Sequence, residues 1–227
     1  MKLRVSNHKT AALTRVEVVV VILVVAVLIL FLLKKSESDF RAARLYTANI
    51  YCINNLKQVG LAFNSWANEH AQKYPTEVST VEGGAMEMAK DGNATAIFEV
   101  MTNELVSPKI LICPADTGKN LATNFNAGLT AKNISYFVGL DAKTNYCPQT
   151  CAFLSGDDNF AIGNVPVGSG LLAFSSNAPI TWTDTRHRLN GRIVFSDGSV
   201  LCSSANHERL PDLIHQTGFV TNHLAIP

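Results

Sequence analysis

Residues 12–35 read ALTRVEVVVVILVVAVLILFLLKK, and the run from Val18 to Leu33 contains no polar side chain. As an α-helix that run rises about 24 Å, and counted from Leu13 it rises about 32 Å, which matches a hydrocarbon core of roughly 30 Å. Its Val and Ile content does not oppose a helix, because in lipid a lone strand leaves its backbone N–H and C=O groups unsatisfied. The segment therefore reads as one membrane-crossing helix. A cleaved secretory signal has a shorter apolar region of about 7–15 residues followed by small residues. Here the run ends instead in Leu33-Lys34-Lys35. Glu17 is the one acid at the mouth of this helix. An ionised group costs roughly 2.5–3.5 kcal/mol at the centre of a span even on the lenient insertion scale, so a carboxylate in such a helix calls for a partner.

The basic residues are evenly shared: Lys2, Arg4, Lys9 and Arg15 precede the span, and Lys34, Lys35, Arg41 and Arg44 follow it. The positive-inside count alone is a tie. The leader is short and free of acids, while Glu37, Asp39 and all five cysteines lie on the far side, and this asymmetry favours a cytoplasmic N-terminus.

Beyond Lys35 the periodicity stays helical. Phe40, Ala43, Tyr46, Ile50, Ile53, Leu56, Gly60 and Phe63 recur at steps of three and four, predicting an amphipathic helix to about His70, before Pro75, continuous with the membrane span. A helix of that length needs its apolar stripe packed on a domain and on other subunits. From Lys73 onward the chain reads as one globular domain large enough for its own core. Ala94–Leu105 reads as a helix, and 134–140, 171–175 and 192–195 read as strands. The last of these joins 199–203 through Asp197-Gly198, a strong hairpin signal. The pattern from Glu208 to Gln216 reads as a short helix interrupted by Pro211. The fold class is α+β, a long helix packed on an antiparallel sheet, with residues 1–12 a basic leader, 13–33 the membrane helix, 34–72 the amphipathic helix and 73–227 the globular domain.

The N-terminal pattern of basic leader, small residue, apolar residue, Thr, two residues, Glu and long apolar helix resembles the type IV prepilin signal shared by pilins and the pseudopilins of type II secretion. That resemblance implies a pilin-like fold, cleavage by prepilin peptidase between Ala12 and Leu13, and N-methylation of Leu13. It implies that Glu17 serves assembly, neutralised by the new α-amino group of a neighbouring subunit so that neither charge is alone in lipid. Ala12 stands where the family usually has glycine, and Arg15 where it usually has an apolar residue. The plainer reading leaves Glu17 in the headgroup layer without a task. Cys52-Ile-Asn-Asn-Leu-Lys-Gln-Val-Gly-Leu-Ala62 is similar to the C-x-N-N-L-K-Q-[IV]-G-L-A signature of a large pseudopilin-like family. The chain also resembles the family in later islands: Cys113-Pro-Ala-Asp116, His187 with Gly191, Phe195-Ser-Asp-Gly-Ser-Val200, and Ser155-Gly-Asp-Asp-Asn159 where relatives typically show Gly-Asp-Arg-Asn.

Five cysteines point to an oxidising compartment and leave at least one unpaired. Among many connectivities, Cys147 with Cys151 closes a small loop, Cys52 with Cys113 ties helix to domain, and Cys202 stays free. Zinc at Cys147 and Cys151 lacks a second ligand pair of matching spacing. Asp157, Asp158, Asn159, Asp184 and Asp197 supply the oxygens calcium would recruit, and pseudopilins of the family use such a site, but no D-x-D-x-D-G loop is present. No cofactor is otherwise expected. His187 lies between Arg186 and Arg188, yet no G-x-S-x-G, H-E-x-x-H, phosphate-binding or dinucleotide-binding motif accompanies it. Trp66 and Trp182 read as packing aromatics. A net charge of +1 without a basic block argues against nucleic acid.

The expected function is that of a non-enzymatic pseudopilin-like subunit in a bacterial inner membrane. It would cross once, with its C-terminal domain periplasmic or extracellular. Its partners would be prepilin peptidase, other pseudopilin subunits, the inner-membrane secretion platform and membrane lipid. The alternative is an uncleaved single-pass protein binding a glycan or metal at the Gly156–Asn159 and His187–Gly191 loops. A hydrolase using His187 with Asp184 or Asp197 lacks an identifiable nucleophile.

Overall fold

The computed structural model describes residues 14–144, 151–204 and 209–227. The chain divides into two compact units, Met1–Arg44 and Leu45–Pro227, and helix α1 (Arg15–Glu69) contributes residues to both. In the first unit, Arg15–Glu37 is long and apolar enough to cross a membrane. Every residue in that stretch is exposed. Contiguous apolar surface of that extent marks a contact with lipid or protein rather than with water, and by length and composition the segment could be a membrane anchor or a signal sequence.

The second unit is α+β and layered. Its middle layer is a six-stranded antiparallel sheet of order β5-β9-β1-β2-β7-β8. The strands are β1 (Tyr136–Gly139), β2 (Phe153–Asp157), β5 (Gly170–Ser175), β7 (Asn190–Phe195), β8 (Val200–Ser204) and β9 (Thr221–Ile226). A smaller sheet has β3 (Phe160–Ile162) between β4 (Val165–Pro166) and β6 (Ile180–Trp182). Helices α2 (Met86–Lys90), α3 (Ala94–Val100), α4 (Thr102–Leu105) and α5 (Leu210–Gln216) complete it.

Successive side chains of a strand face opposite sides, and here both sides are apolar. Tyr136, Val138, Leu154, Val194 and Ala225 join the core formed with α1 and α3. Phe137, Phe153, Ile193, Phe195, Leu224 and Ile226 join a second core under the small sheet and α5. In α1 the packed face is Cys52, Leu56, Val59, Phe63 and Trp66, each at most 2% exposed. Those steps of four and three are those of one helix face. Gly60 lets the helix approach the sheet, since a Cβ there would lie 2.8 Å from Val194 Cγ2.

Several expected elements come out differently. The stripe predicted from apolar residues agrees with the packed face at Leu56, Gly60 and Phe63, but Tyr46 and Ile50 are exposed. Asn49 and Cys52 take the inward positions because they hydrogen-bond into the domain. The single helix expected over 94–105 breaks at buried Met101 (φ −101°, ψ 26°) into α3 and α4. Pro211 does not interrupt α5; it lies in the first turn, where its missing N–H costs no hydrogen bond. Glu208 lies outside the described residues.

Candidate functional site

Two places concentrate polar chemistry on an otherwise apolar frame. The first is the start of α1. Thr14 N–H and Oγ1–H donate to Glu17 Oε2 at 2.8 and 3.0 Å, and Glu17 N–H approaches Thr14 Oγ1 at 3.4 Å. This is a reciprocal capping box, which satisfies N–H groups that the first turn otherwise leaves open. T-x-x-E is visible in the sequence, and the capping role is one that the reading of Glu17 by charge alone passes over. Ala12 and Leu13 lie outside the described residues.

The second place is buried in the domain. Cys52 enters from α1, Cys113 follows a one-turn helix at Pro108–Leu111, Asp157 ends β2 and His187 precedes β7. Their ligating atoms all lie within 4.8 Å of one another. Asn55 on α1 donates to Ile112 O at 2.9 Å and so holds the Cys113 segment against the helix. The Cys52 thiol faces Asp157 Oδ1 at 3.4 Å and the Tyr136 hydroxyl at 3.3 Å. Cys113 Sγ lies 2.9 Å from His187 Nε2, and His187 Nε2 lies 3.7 Å from Asp157 Oδ2.

Asn49 decides the state of the imidazole. Its Oδ1 sits 2.9 Å from His187 Nδ1 and accepts from Arg192 Nη2 at 2.7 Å. An acceptor there puts the proton on Nδ1 and leaves the Nε2 lone pair pointing at Cys113. Burial, and then the positive charges of Arg192 and Arg186, hold His187 down to about 3, so it is neutral at neutral pH. Burial pushes the Cys52 thiol well above its usual range, and it pushes the Asp157 carboxyl up against the opposing pull of Arg186 and Arg192. Asp157 also accepts from Arg192 N–H at 2.9 Å.

A rim of ion pairs surrounds this centre. Arg186 contacts Asp116 Oδ2 at 3.0 Å, donates to Ser135 O at 3.1 Å and pairs with Asp158. Asn159 Nδ2 reaches the carbonyls of Thr183, Arg186 and Asn190, and Asn190 Nδ2 donates to His187 O at 2.8 Å. These bonds hold a turn in which His187, Arg188 and Leu189 all have φ between 52° and 61°. Left-handed geometry costs a non-glycine residue roughly 1–2 kcal/mol.

The structure thus gathers islands that are far apart in sequence, and it re-sorts the expected sites. Cys52 and Cys113 lie in one cluster, as two thiols without a bond between them. Cys147 lies outside the described residues, Cys151 lies beside Asp197, and Cys202 is exposed. Gly156–Asp157 is not a loop open to a ligand but the buried end of a central strand. Among the described residues, the carboxylates of Asp157, Asp158, Asp184 and Asp197 do not gather into one cluster. Asp158 is taken by Arg186, and Asp197 Oδ1 accepts from Ser199 N–H and Oγ–H within its own hairpin turn. His187 faces Asn49 and Cys113 rather than Asp184 or Asp197. Compared with known proteins, the chain matches no family model, no curated protein and no solved structure.

Proposed function

We propose that the chain is a pseudopilin-like structural subunit with a pilin-like fold, anchored through α1 and assembled into a type II secretion or type IV pilus-like filament. The observation that carries this reading is the wholly exposed stretch Arg15–Glu37, whose uninterrupted apolar run Val18–Leu33 has Glu17 at its mouth, on a chain whose folded domain is an α1-backed antiparallel sheet. The prepilin-type residues support it. Prepilin peptidase cuts between Ala12 and Leu13, Leu13 is N-methylated, and Glu17 pairs with the α-amino group of the next subunit. The subunit sits in a bacterial inner membrane with its N-terminus cytoplasmic and its domain outside. It meets other pseudopilins, the secretion platform and lipid there, and it acts without enzymatic activity or a role for nucleic acid.

The test is the N-terminal peptide of the protein from its native membrane, with and without the host's prepilin peptidase. A peptidase-dependent chain beginning at methylated Leu13 is expected; one that keeps Met1 returns the anchor-only reading. Glu17→Gln then separates the two roles of the carboxylate. The amide still accepts from Thr14, so the cap survives while the charge is lost. Filament assembly is expected to fail in Glu17→Gln as fully as in Glu17→Ala, with membrane insertion unchanged. Normal assembly by the Gln variant would reduce Glu17 to a cap.

A further inference from the structure

We propose that Cys52, Cys113, Asp157 and His187 form a closed four-ligand site for a zinc-class divalent ion that staples α1 to the sheet. Each of the four is buried, and each offers one ligand atom to a common centre. Zinc binds thiolate at about 2.3 Å, imidazole at about 2.0–2.1 Å and carboxylate at about 2.0–2.2 Å, so tetrahedral ligands stand about 3.4–3.8 Å apart. The separations here are 3.4 Å from Cys52 Sγ to Asp157 Oδ1, 3.7 Å from His187 Nε2 to Asp157 Oδ2 and 2.9 Å from Cys113 Sγ to His187 Nε2. The first two fall within that range, one to each Asp157 oxygen, and the last must open by about 0.6 Å.

The chemistry of the donors agrees with the geometry. Two sulfurs, an imidazole and a carboxylate form a set that suits zinc and does not suit calcium or magnesium, which take oxygen ligands. The imidazole already has the arrangement a ligating histidine needs, with Nδ1–H bound to Asn49 and the Nε2 lone pair turned inward. The strained turn at His187–Leu189 is what brings that ring to the thiols.

Loading the site moves no net charge into the core. Two S–H bonds break, two metal–sulfur bonds form, and two protons leave to solvent; nothing is oxidised or reduced. The ion's two positive charges replace the two protons, and Asp157 keeps Arg192 beside it in both states. Arg192 is 4% exposed, and its Nε and Nη1 have no hydrogen-bond partner. It is therefore a buried counter-charge for the one negative charge, that of Asp157, which the centre carries with or without the ion. The rival use of the same sulfurs is a Cys52–Cys113 disulfide. It leaves His187 Nε2 without the Cys113 thiol as its donor.

The experiment uses the full chain, extracted in mild detergent with its thiols reduced, loaded with zinc and freed of excess by gel filtration. A single equivalent of zinc per chain by elemental analysis is expected. Alkylation should reach Cys202 at once, and Cys52 and Cys113 only after a strong chelator. Cobalt in place of zinc should give the intense visible bands of a tetrahedral site together with sulfur-to-metal charge transfer. Because ligand variants such as His187→Ala risk failing to fold, Asn49→Ala serves as the second variant, with metal affinity expected to fall roughly 10–100-fold. Reduced chain that takes up no zinc overturns the proposal. So does a Cys52–Cys113 disulfide in protein alkylated at the moment of lysis from its native host. Neither result bears on processing at Leu13, so this site and the filament reading stand or fall separately.

Discussion

Gly191 shows how one residue carries the packing around the buried cluster. A Cβ at this position would lie 2.3 Å from the Trp182 ring, whose indole N–H donates to Ser203 Oγ at 3.0 Å and so cannot move away freely. Gly191→Ala should therefore destabilise the fold by about 1–3 kcal/mol, the usual cost of overpacking, read as a lower urea midpoint with an unchanged slope. Glu87 tests a different force. Its carboxylate accepts from Thr80 N–H and Ser79 Oγ–H, both at 2.8 Å, and the Thr80 bond foremost lowers it from 4.5 to about 2. A carboxylate with a depressed native value stabilises fully above its unfolded value, and that contribution is lost as pH falls through the folded one. Wild type should thus lose stability between pH 4.5 and about 2. In Glu87→Gln the loss across that window should shrink, and equal slopes in the two proteins would show that the hydrogen bonds carry no net stability.

At the scale of elements, α1 gives the sharpest contrast between appearance and burial. Phe63 is fully buried, edge-on to Tyr74 and Phe98, whereas Ile50 is 42% exposed. Phe63→Ala should cost about 3–5 kcal/mol, and Ile50→Ala should stay within about 0.5 kcal/mol. Comparable losses in the two variants would restore the stripe that the apolar residues alone suggest. The sequence made the apolar helix plain because a long run of one residue class needs no partner to be recognised. The β7–β8 hairpin was equally plain, because Asp197-Gly198 encodes its own turn, with Gly198 at φ 82°. Strands β2 and β9 were not legible. Phe153–Asp157 has every residue buried and therefore shows no alternation, and its Ser155-Gly156-Asp157 reads as loop by composition. What makes it a strand is its two neighbours, β1 and β7, which no local pattern reports.

The whole molecule separates into an apolar segment and a domain whose two cores, among the described residues, draw on positions from Cys52 onward. A chain beginning at Leu45 should therefore stay in solution without detergent and unfold in one cooperative urea transition, with fluorescence and far-ultraviolet dichroism coinciding. Non-coincident transitions would mean that the first unit is needed to complete the fold. The candidate centre was legible only as scattered islands. Cys52, the Cys113-Pro-Ala-Asp116 box, Asp157 and His187 each stood out, but spacing rules for metal sites look for ligands close together in sequence, and none of these pairs is close.

That remoteness has a consequence in time. Cys52 is separated from Asp157 by 105 residues, and Asn49 from His187 by 138. Closing contacts between such distant positions carries the loop-closure entropy of the intervening segments. Until those contacts close, the two sulfurs are open to their surroundings. Whichever reagent reaches them first in that interval, an oxidant or an ion, sets the state in which the finished core is closed.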